Sequence, residues 1–216
     1  MNITILCSSE EHPVNVMLTV WADRQREYGH SVDVVRKKSE LMEGELLFLI
    51  SCSEIINSND RKRYSKVLVI HASDLPSGRG WSPHVWSILN GCECITVSLL
   101  EAEDEVDTGD VWKKISMDVD KSALYDEINA KLFEVEEQLM DFAVQNFYTI
   151  SPSRQSDEIE TSYYPKRTPD DSLIDPEKSI AEQFDQIRVC DPERFPAFFY
   201  HLGNKYTLQL KKVRDE

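Results

Sequence analysis

Short apolar runs alternate with polar, helix-periodic stretches along most of the chain. Asn2 to Cys7 alternates and ends in Cys-Ser-Ser, which predicts a strand and a turn. His12 to Tyr28 carries Val16, Val20 and Trp21 at helical spacing and closes on Gly29. Ser31 to Val35 predicts a second strand. Leu46 to Ile50 predicts a third, continuously apolar and therefore buried on both faces. Ser58 to Tyr64 predicts a short polar helix before a strand at Val67 to Ile70. Pro83 to Leu89 predicts another helix, with proline in its first turn. Cys94 to Leu100 returns to strand. Ser122 to Phe147 is the clearest helix, because Leu124, Ile128, Leu132, Val135, Leu139 and Phe142 recur at spacings of four and three. This alternation predicts an α/β fold built on a doubly wound, mainly parallel sheet.

Beyond residue 150 the pattern changes. Residues 151–162, SPSRQSDEIETS, are polar and predict a linker between a domain at 1–150 and a small C-terminal α+β unit at 163–216. That unit is expected to hold a Pro-rich loop, a helix from about Glu177 to Val189, and strands at Ala197 to His201 and Lys205 to Lys211.

The chain has 216 residues and a formal net charge of −15, which argues against a general nucleic-acid surface. The acid is concentrated: residues 101–141 hold 14 Asp and Glu against 4 Lys, most of them expected on a solvated helix face. No apolar run reaches membrane-spanning length, and MNITILCSS lacks the basic flank of a signal peptide. Cys7, Cys52, Cys92, Cys94 and Cys190 show neither disulfide-framework nor metal-site spacing, so reduced thiols in a cytoplasm and no metal are expected. No Gly-rich phosphate fingerprint follows the first strand, which disfavours a nucleotide cofactor there.

The candidate chemistry lies between Val67 and Trp112. The apolar run at 67–70 delivers His71 to a loop punctuated by Pro76, Gly78, Gly80 and Pro83. The strand ending at Leu100 delivers an acidic loop ending in Asp107. A carboxylate beside a histidine favours the protonated ring and fixes its tautomer, so the pair suits general acid/base work. A satisfied structural histidine is the rival reading.

The order and spacing of these residues resembles the formyltransferase family that takes its one-carbon unit from 10-formyltetrahydrofolate. The family pattern is Asn-x-His-x-Ser-Leu-Leu-Pro, a basic Arg-Gly loop, then Leu-Asp-x-Gly. His71, Ser73, Leu75, Pro76, Arg79, Gly80, Asp107 and Gly109 stand in those places. Tyr163 to Asp175 (YYPKRTPDDSLID) resembles the Arg-Arg-Thr-Pro-Asp-Asp-Ser segment of sugar-nucleotide N-formyltransferases, and Pro192 to Tyr200 (PERFPAFFY) echoes a further family stretch. The resemblance spans most of residues 46–212. It implies the Rossmann-like formyltransferase fold, 10-formyltetrahydrofolate as co-substrate, His71 as proton shuttle and Asp107 as its charge partner. The folate would lie against Ser53, Glu54 and Ile55 on one loop and Glu103, Asp104, Glu105 and Val106 on another, mainly through backbone groups. An exposed acidic turn is the rival reading of the second loop.

Arg79, Trp81, Tyr164, Lys166 and Arg167 combine cations with aromatic faces and are the expected contacts to substrate. A solvated loop tip and a packed tryptophan are the rivals. One position departs from the family: Val69 stands where the pattern has asparagine, a donor worth about 2.7–4 kcal/mol to a developing oxyanion.

The resemblance therefore implies N-formylation of an amino sugar carried on a nucleotide, with a nonulosonic acid such as CMP-pseudaminic acid as one acceptor, and it allows a homodimer. The alternatives are a methionyl-tRNA formyltransferase-like enzyme, which usually carries a larger C-terminal barrel, a purine-precursor formyltransferase, and a non-catalytic folate- or nucleotide-binding protein, favoured by Val69.

Overall fold

Six strands form the central sheet of the computed structural model, which describes residues 1–213. They are β1 (Asn2–Leu6), β2 (Ser31–Val35), β3 (Gly44–Leu49), β4 (Tyr64–His71), β6 (Cys94–Glu101) and β7 (Val111–Asp118), in the spatial order β2-β1-β3-β4-β6-β7. The two-residue strand β5 (Arg79–Gly80) lies outside this sheet. The first four strands of that order pair in parallel; β6 is antiparallel to both neighbours. The sheet is thus mostly parallel, as expected.

One face is covered by α1 (Asn15–Glu27), α3 (Pro83–Leu89) and α4 (Tyr125–Asn146). Leu18 and Trp21 of α1 and Ile128, Leu132, Leu139 and Ala143 of α4 are buried against Ile5, Phe48, Leu68 and Leu99 of the strands. Trp21 meets Phe48 edge-on, with ring centroids 5.7 Å apart. Each large apolar side chain of this kind contributes roughly 1.5–3 kcal/mol by leaving water. Arg24 also bridges Glu137 and Asp141 at 2.6 and 2.8 Å, but all three side chains are about a third exposed. Pairs of that kind add about 1 kcal/mol at most, so burial holds the helices.

The second face has a smaller core of Leu6, Leu47, Leu49 and Val67 under Leu41, Ile56 and Tyr64. Its cover is a 3-10 turn at Lys38–Glu40, the single-turn α2 (Ser58–Arg61) and loops. The winding is therefore unequal: full helices on one face and short pieces on the other.

The C-terminal residues contribute β8 (Tyr163–Tyr164), α5 (Phe184–Arg188) and the hairpin β9 (Ala197–His201) with β10 (Asn204–Leu208). Two expectations are corrected. The chain from Val111 to Asp118 forms a strand that the apolar pattern does not predict. It is a sheet edge, and its paired lysines, Lys113 and Lys114, break the apolar alternation of Trp112, Ile115 and Met117. The helix expected from Glu177 begins only at Phe184. Ahead of it, Gln183 and Glu182 hydrogen-bond to nearby backbone groups of Asp175, Lys178 and Ser179, which offers the chain turns in place of helix.

Candidate active site

Side chains alternate along β4, so Val67, Val69 and His71 share the thinly covered face of the sheet. Two loops flank them. The loop after β3 runs from Ile50 to Asn57. Because β6 is antiparallel to β4, it runs away from His71 and its last residues lie beside the middle of β4: Glu101 pairs with Leu68, and Ala102 N–H donates to Val67 O at 2.8 Å. The acidic loop must then double back to bring Asp107 to His71. The pair thus joins one strand end to a returning loop, in place of the two neighbouring strand ends that the sequence predicts.

His71 and Asp107 are both buried, at 6% and 8% exposure. His71 Nδ1 stands 3.5 Å from Asp107 Oδ1. His71 Nε2 lies 2.8 Å from the Gly78 carbonyl. A carbonyl only accepts, so Nε2 carries a proton, and Nδ1, facing the carboxylate, is the nitrogen free to take another. Asp107 has φ +59, the left-handed region, and its Oδ2 accepts from Gly80 N–H at 2.9 Å. The carboxylate is thereby aimed from two sides. An asparagine side chain at this position would keep the Gly80 hydrogen bond and tolerate the same φ. Asp107→Asn should therefore leave the melting temperature nearly unchanged while slowing turnover by about 10-fold or more. A rate equal to wild type would make Asp107 a turn residue only.

The loop over His71 is fixed by a distant segment. Arg79–Gly80 pairs in parallel with Tyr163–Tyr164. Gly78 N–H donates to Ser162 Oγ at 2.8 Å, and Arg79 N–H to Ser162 O at 2.9 Å. Only glycine fits at position 80: φ is +98 and a Cβ would sit 2.4 Å from Tyr164 O. The segment expected as a linker thus lies against the site loop. Ser73 follows His71 two residues into the loop; its buried hydroxyl has no hydrogen-bond partner among the described residues.

Trp81, Tyr164, Lys166 and Arg167 come together as one cluster. Lys166 Nζ lies 4.5 Å from the Trp81 ring centroid, and Trp81 is 41% exposed. Tyr164 stacks on Trp86, with Arg167 on the same indole. Arg79 is turned inward: Nη1 donates to Tyr163 Oη at 3.2 Å and Nη2 to Gln155 Oε1 at 2.8 Å.

The two loops expected at the folate lie on the Val69 face. Cys52, Ala102 and Val69 all pack against the core of that face, and Ile55 and Val106 hold exposed apolar side chains at 65% and 49%. Arg61 ties the loops together, donating to Ile56 O at 2.9 Å and to Asp104 Oδ1 at 2.8 Å, with Glu103 at 3.8 Å. Glu54 is engaged by Lys38 N–H, Ser53 N–H by Ser8 Oγ, and Glu105 by Tyr163 Oη.

Three contributors lie outside the residues that the sequence singles out: Arg61, Trp86 and Gln155. No sequence signal distinguishes Gln155 or Arg61 from their polar neighbours. His84 also faces this region. Burial, followed by the charges of His12, His71 and Arg167, pushes its pKa down to about 4, so it is neutral at pH 7.

The α/β fold and its buried histidine–carboxylate pair suit acid/base chemistry, and the sequence identifies the family. Residues 6–144 match the family model described as Formyl transferase, and the chain belongs to that family. Among curated proteins it is 31% identical over 156 residues to the methionyl-tRNA formyltransferase of Natranaerobius thermophilus, covering 69% of this chain and 48% of that protein. The corresponding protein of Bacillus subtilis is 30% identical over 125 residues, or 57% and 39%. The chain thus spans about half the length of the curated relatives it matches or less. Solved structures share the fold. Methionyl-tRNA formyltransferase from Clostridium thermocellum superposes with a TM-score of 0.83 at 22% identity, covering 99% of this chain and 94% of that one. HypX from Aquifex aeolicus in complex with tetrahydrofolic acid gives 0.78 at 24%, covering 94% and 36%. A likely sugar N-formyltransferase from Mycobacterium tuberculosis gives 0.76 at 16%, covering 100% and 99%. Among the described residues no helix is long and apolar enough to cross a membrane.

Proposed function

We propose that the chain transfers a formyl group from 10-formyltetrahydrofolate to the amine of a nucleotide-activated amino sugar. The observation that carries this reading is the buried His71–Asp107 pair together with two loops tied to each other by Arg61. Folate supplies the formyl carbon when bound. The apolar side chains of Ile55 and Val106 suit a flat ring between the loops of Ser53–Glu54–Ile55 and Glu103–Asp104–Glu105–Val106, with backbone groups reading its edges. The acceptor amine bonds to the formyl carbon as the bond from that carbon to the folate nitrogen breaks. His71 takes the amine proton at Nδ1, where Asp107 stabilises the resulting cation, and returns it to the departing nitrogen.

Trp81, Tyr164, Lys166 and Arg167 are the groups suited to a base, a sugar face and phosphate. Arg79 supports them through Tyr163 and Gln155. Activated nonulosonic acids are one acceptor class within this reading. Initiator methionyl-tRNA is the competing acceptor suggested by the curated relatives, and the net charge of −15 opposes it. The test is turnover with 10-formyltetrahydrofolate and a panel of amino-sugar nucleotides, with methionyl-tRNA alongside, read by mass for addition of one formyl group. Formylation of an amino-sugar nucleotide is expected. Formylation of the tRNA alone, or of nothing, rejects the sugar assignment.

A second reading, a folate-binding protein without catalysis, has Val69 in its favour. Val69 packs, like Val35, Cys52 and Ala102, against the apolar core of Leu6, Leu47, Leu49 and Val67, whose side chains offer no hydrogen-bond donor. Val69→Asn would place an amide among these groups, at a cost of about 1–3 kcal/mol unless the backbone satisfies it. The substitution is therefore expected to slow transfer about 10-fold. An acceleration of about 10-fold or more would instead mean that the natural site lacks its oxyanion donor. An unchanged rate in a folded variant would mean that Val69 does not face the reacting carbon.

A further inference from the structure

One side-chain amide holds the backbone on both sides of the catalytic turn. Gln155 Nε2 donates to Asp107 O at 2.8 Å and to Gly109 O at 2.9 Å. Its Oε1 accepts from Arg79 Nη2 at 2.8 Å. Both amide protons and the amide oxygen are therefore used. The circuit closes through Arg79 Nη1 on Tyr163 Oη, and Tyr163 Oη on Glu105 Oε1, both at 3.2 Å. Asp107 is sewn to the Arg79–Gly80 strand by two routes. One is its own Oδ2 on Gly80 N–H; the other is Gln155 and Arg79.

We infer that Gln155 is a positioning residue, fixing the Asp107 backbone so that its carboxylate faces His71 Nδ1. This rests on the formyl-transfer reading of that pair. Asp107 is a non-glycine residue in the left-handed region, a conformation that aspartate tolerates and that its hydrogen-bonded surroundings hold. At 3.5 Å the Asp107–His71 contact is already longer than an ordinary N–H···O hydrogen bond, so any further displacement of the carboxylate weakens it directly. Gln155 touches neither partner's side chain, so its effect on the chemistry runs through the turn.

Two substitutions separate its functions. Gln155→Leu removes both donors and the acceptor. Gln155→Glu keeps the shape and the bond to Arg79 but has no N–H to offer the two carbonyls. Both are expected to lower kcat about 10-fold or more, since small misplacements near reacting groups are costly; in Gln155→Glu, which keeps Arg79 in place, KM for the acceptor should change little. Two residues acting as one unit do not add. Asp107→Asn combined with Gln155→Leu should accordingly be no slower than Asp107→Asn alone. Additive losses, or full kcat in Gln155→Glu, would overturn the inference. A second readout needs no turnover: the 15N NMR signals of the His71 ring at fixed pH. They should move in both Gln155 variants in the same direction as in Asp107→Asn. Unmoved ring signals in a folded Gln155→Glu protein would reject positioning. Failure of formyl transfer itself would appear separately, as a silent wild type in the acceptor panel.

Discussion

His71→Asn is expected to lower formyl transfer by about 100-fold or more, the usual worth of a positioned proton shuttle. The asparagine amide ends near the Nδ1 position, short of the Gly78 carbonyl, so the loop at 74–81 loses that one bond but keeps its anchors from Gly78 N–H and Arg79 N–H to Ser162. The amide cannot take a proton at the Nδ1 position. Folate affinity should be unchanged, because the loops assigned to folate are held by Arg61 and by backbone contacts independent of His71. Turnover with the accepted amino-sugar nucleotide and folate binding by calorimetry are the two measurements. A variant that keeps more than about a tenth of the wild-type rate excludes His71 as the shuttle. A variant that loses folate binding as well would place His71 in the folate site.

The parts of this site that were legible in the sequence are those written in local runs. The apolar stretch before His71 declares a buried strand, and the polar, glycine-punctuated loop after it declares an exit. Asp107 and Gly109 follow at the family's spacing. The direction of β6 was not legible, because a strand's apolar pattern reads the same for either orientation. The doubling back of the loop to Asp107 follows from that orientation. The edge strand β7 was hidden by Lys113 and Lys114, which interrupt its apolar alternation where no neighbouring strand covers it. Gln155 lay in a stretch whose composition reads as a polar linker. Its importance comes from contacts with residues 46 to 76 positions away, and nothing in a glutamine's immediate neighbours records those. Arg79 shows the converse. Its charge suggested an anion contact, yet both terminal nitrogens are used inside the protein.

The largest purely steric effect is expected at Gly109. A Cβ there would sit 1.9 Å from Glu101 O and 2.7 Å from Glu101 C. Both are main-chain atoms of a central-sheet strand, so no side chain can swing away to relieve the clash. Either the end of β6 or the returning loop must move by about an ångström, a shift that core overpacking values at roughly 1–3 kcal/mol. Glu101 is not free to yield. Its side chain pairs with Lys66 Nζ at 2.6 Å and accepts from Trp112 Nε1 at 3.0 Å, and its N–H donates to Asp110 O. The loop should move instead, carrying the Gly109 carbonyl off Gln155 and Asp107 away from His71. Gly109→Ala is therefore expected to lower the melting temperature and to cost about 100-fold in transfer rate, more than the stability loss alone would imply. Gly203→Ala is the matched control: its Cβ would meet nothing within 4 Å, although φ is +79. It should show a small thermal shift and a normal rate. Wild-type stability and turnover in Gly109→Ala would mean that the crossing of the loop over Glu101 is looser than its geometry states, and that Asp107 is not held through it.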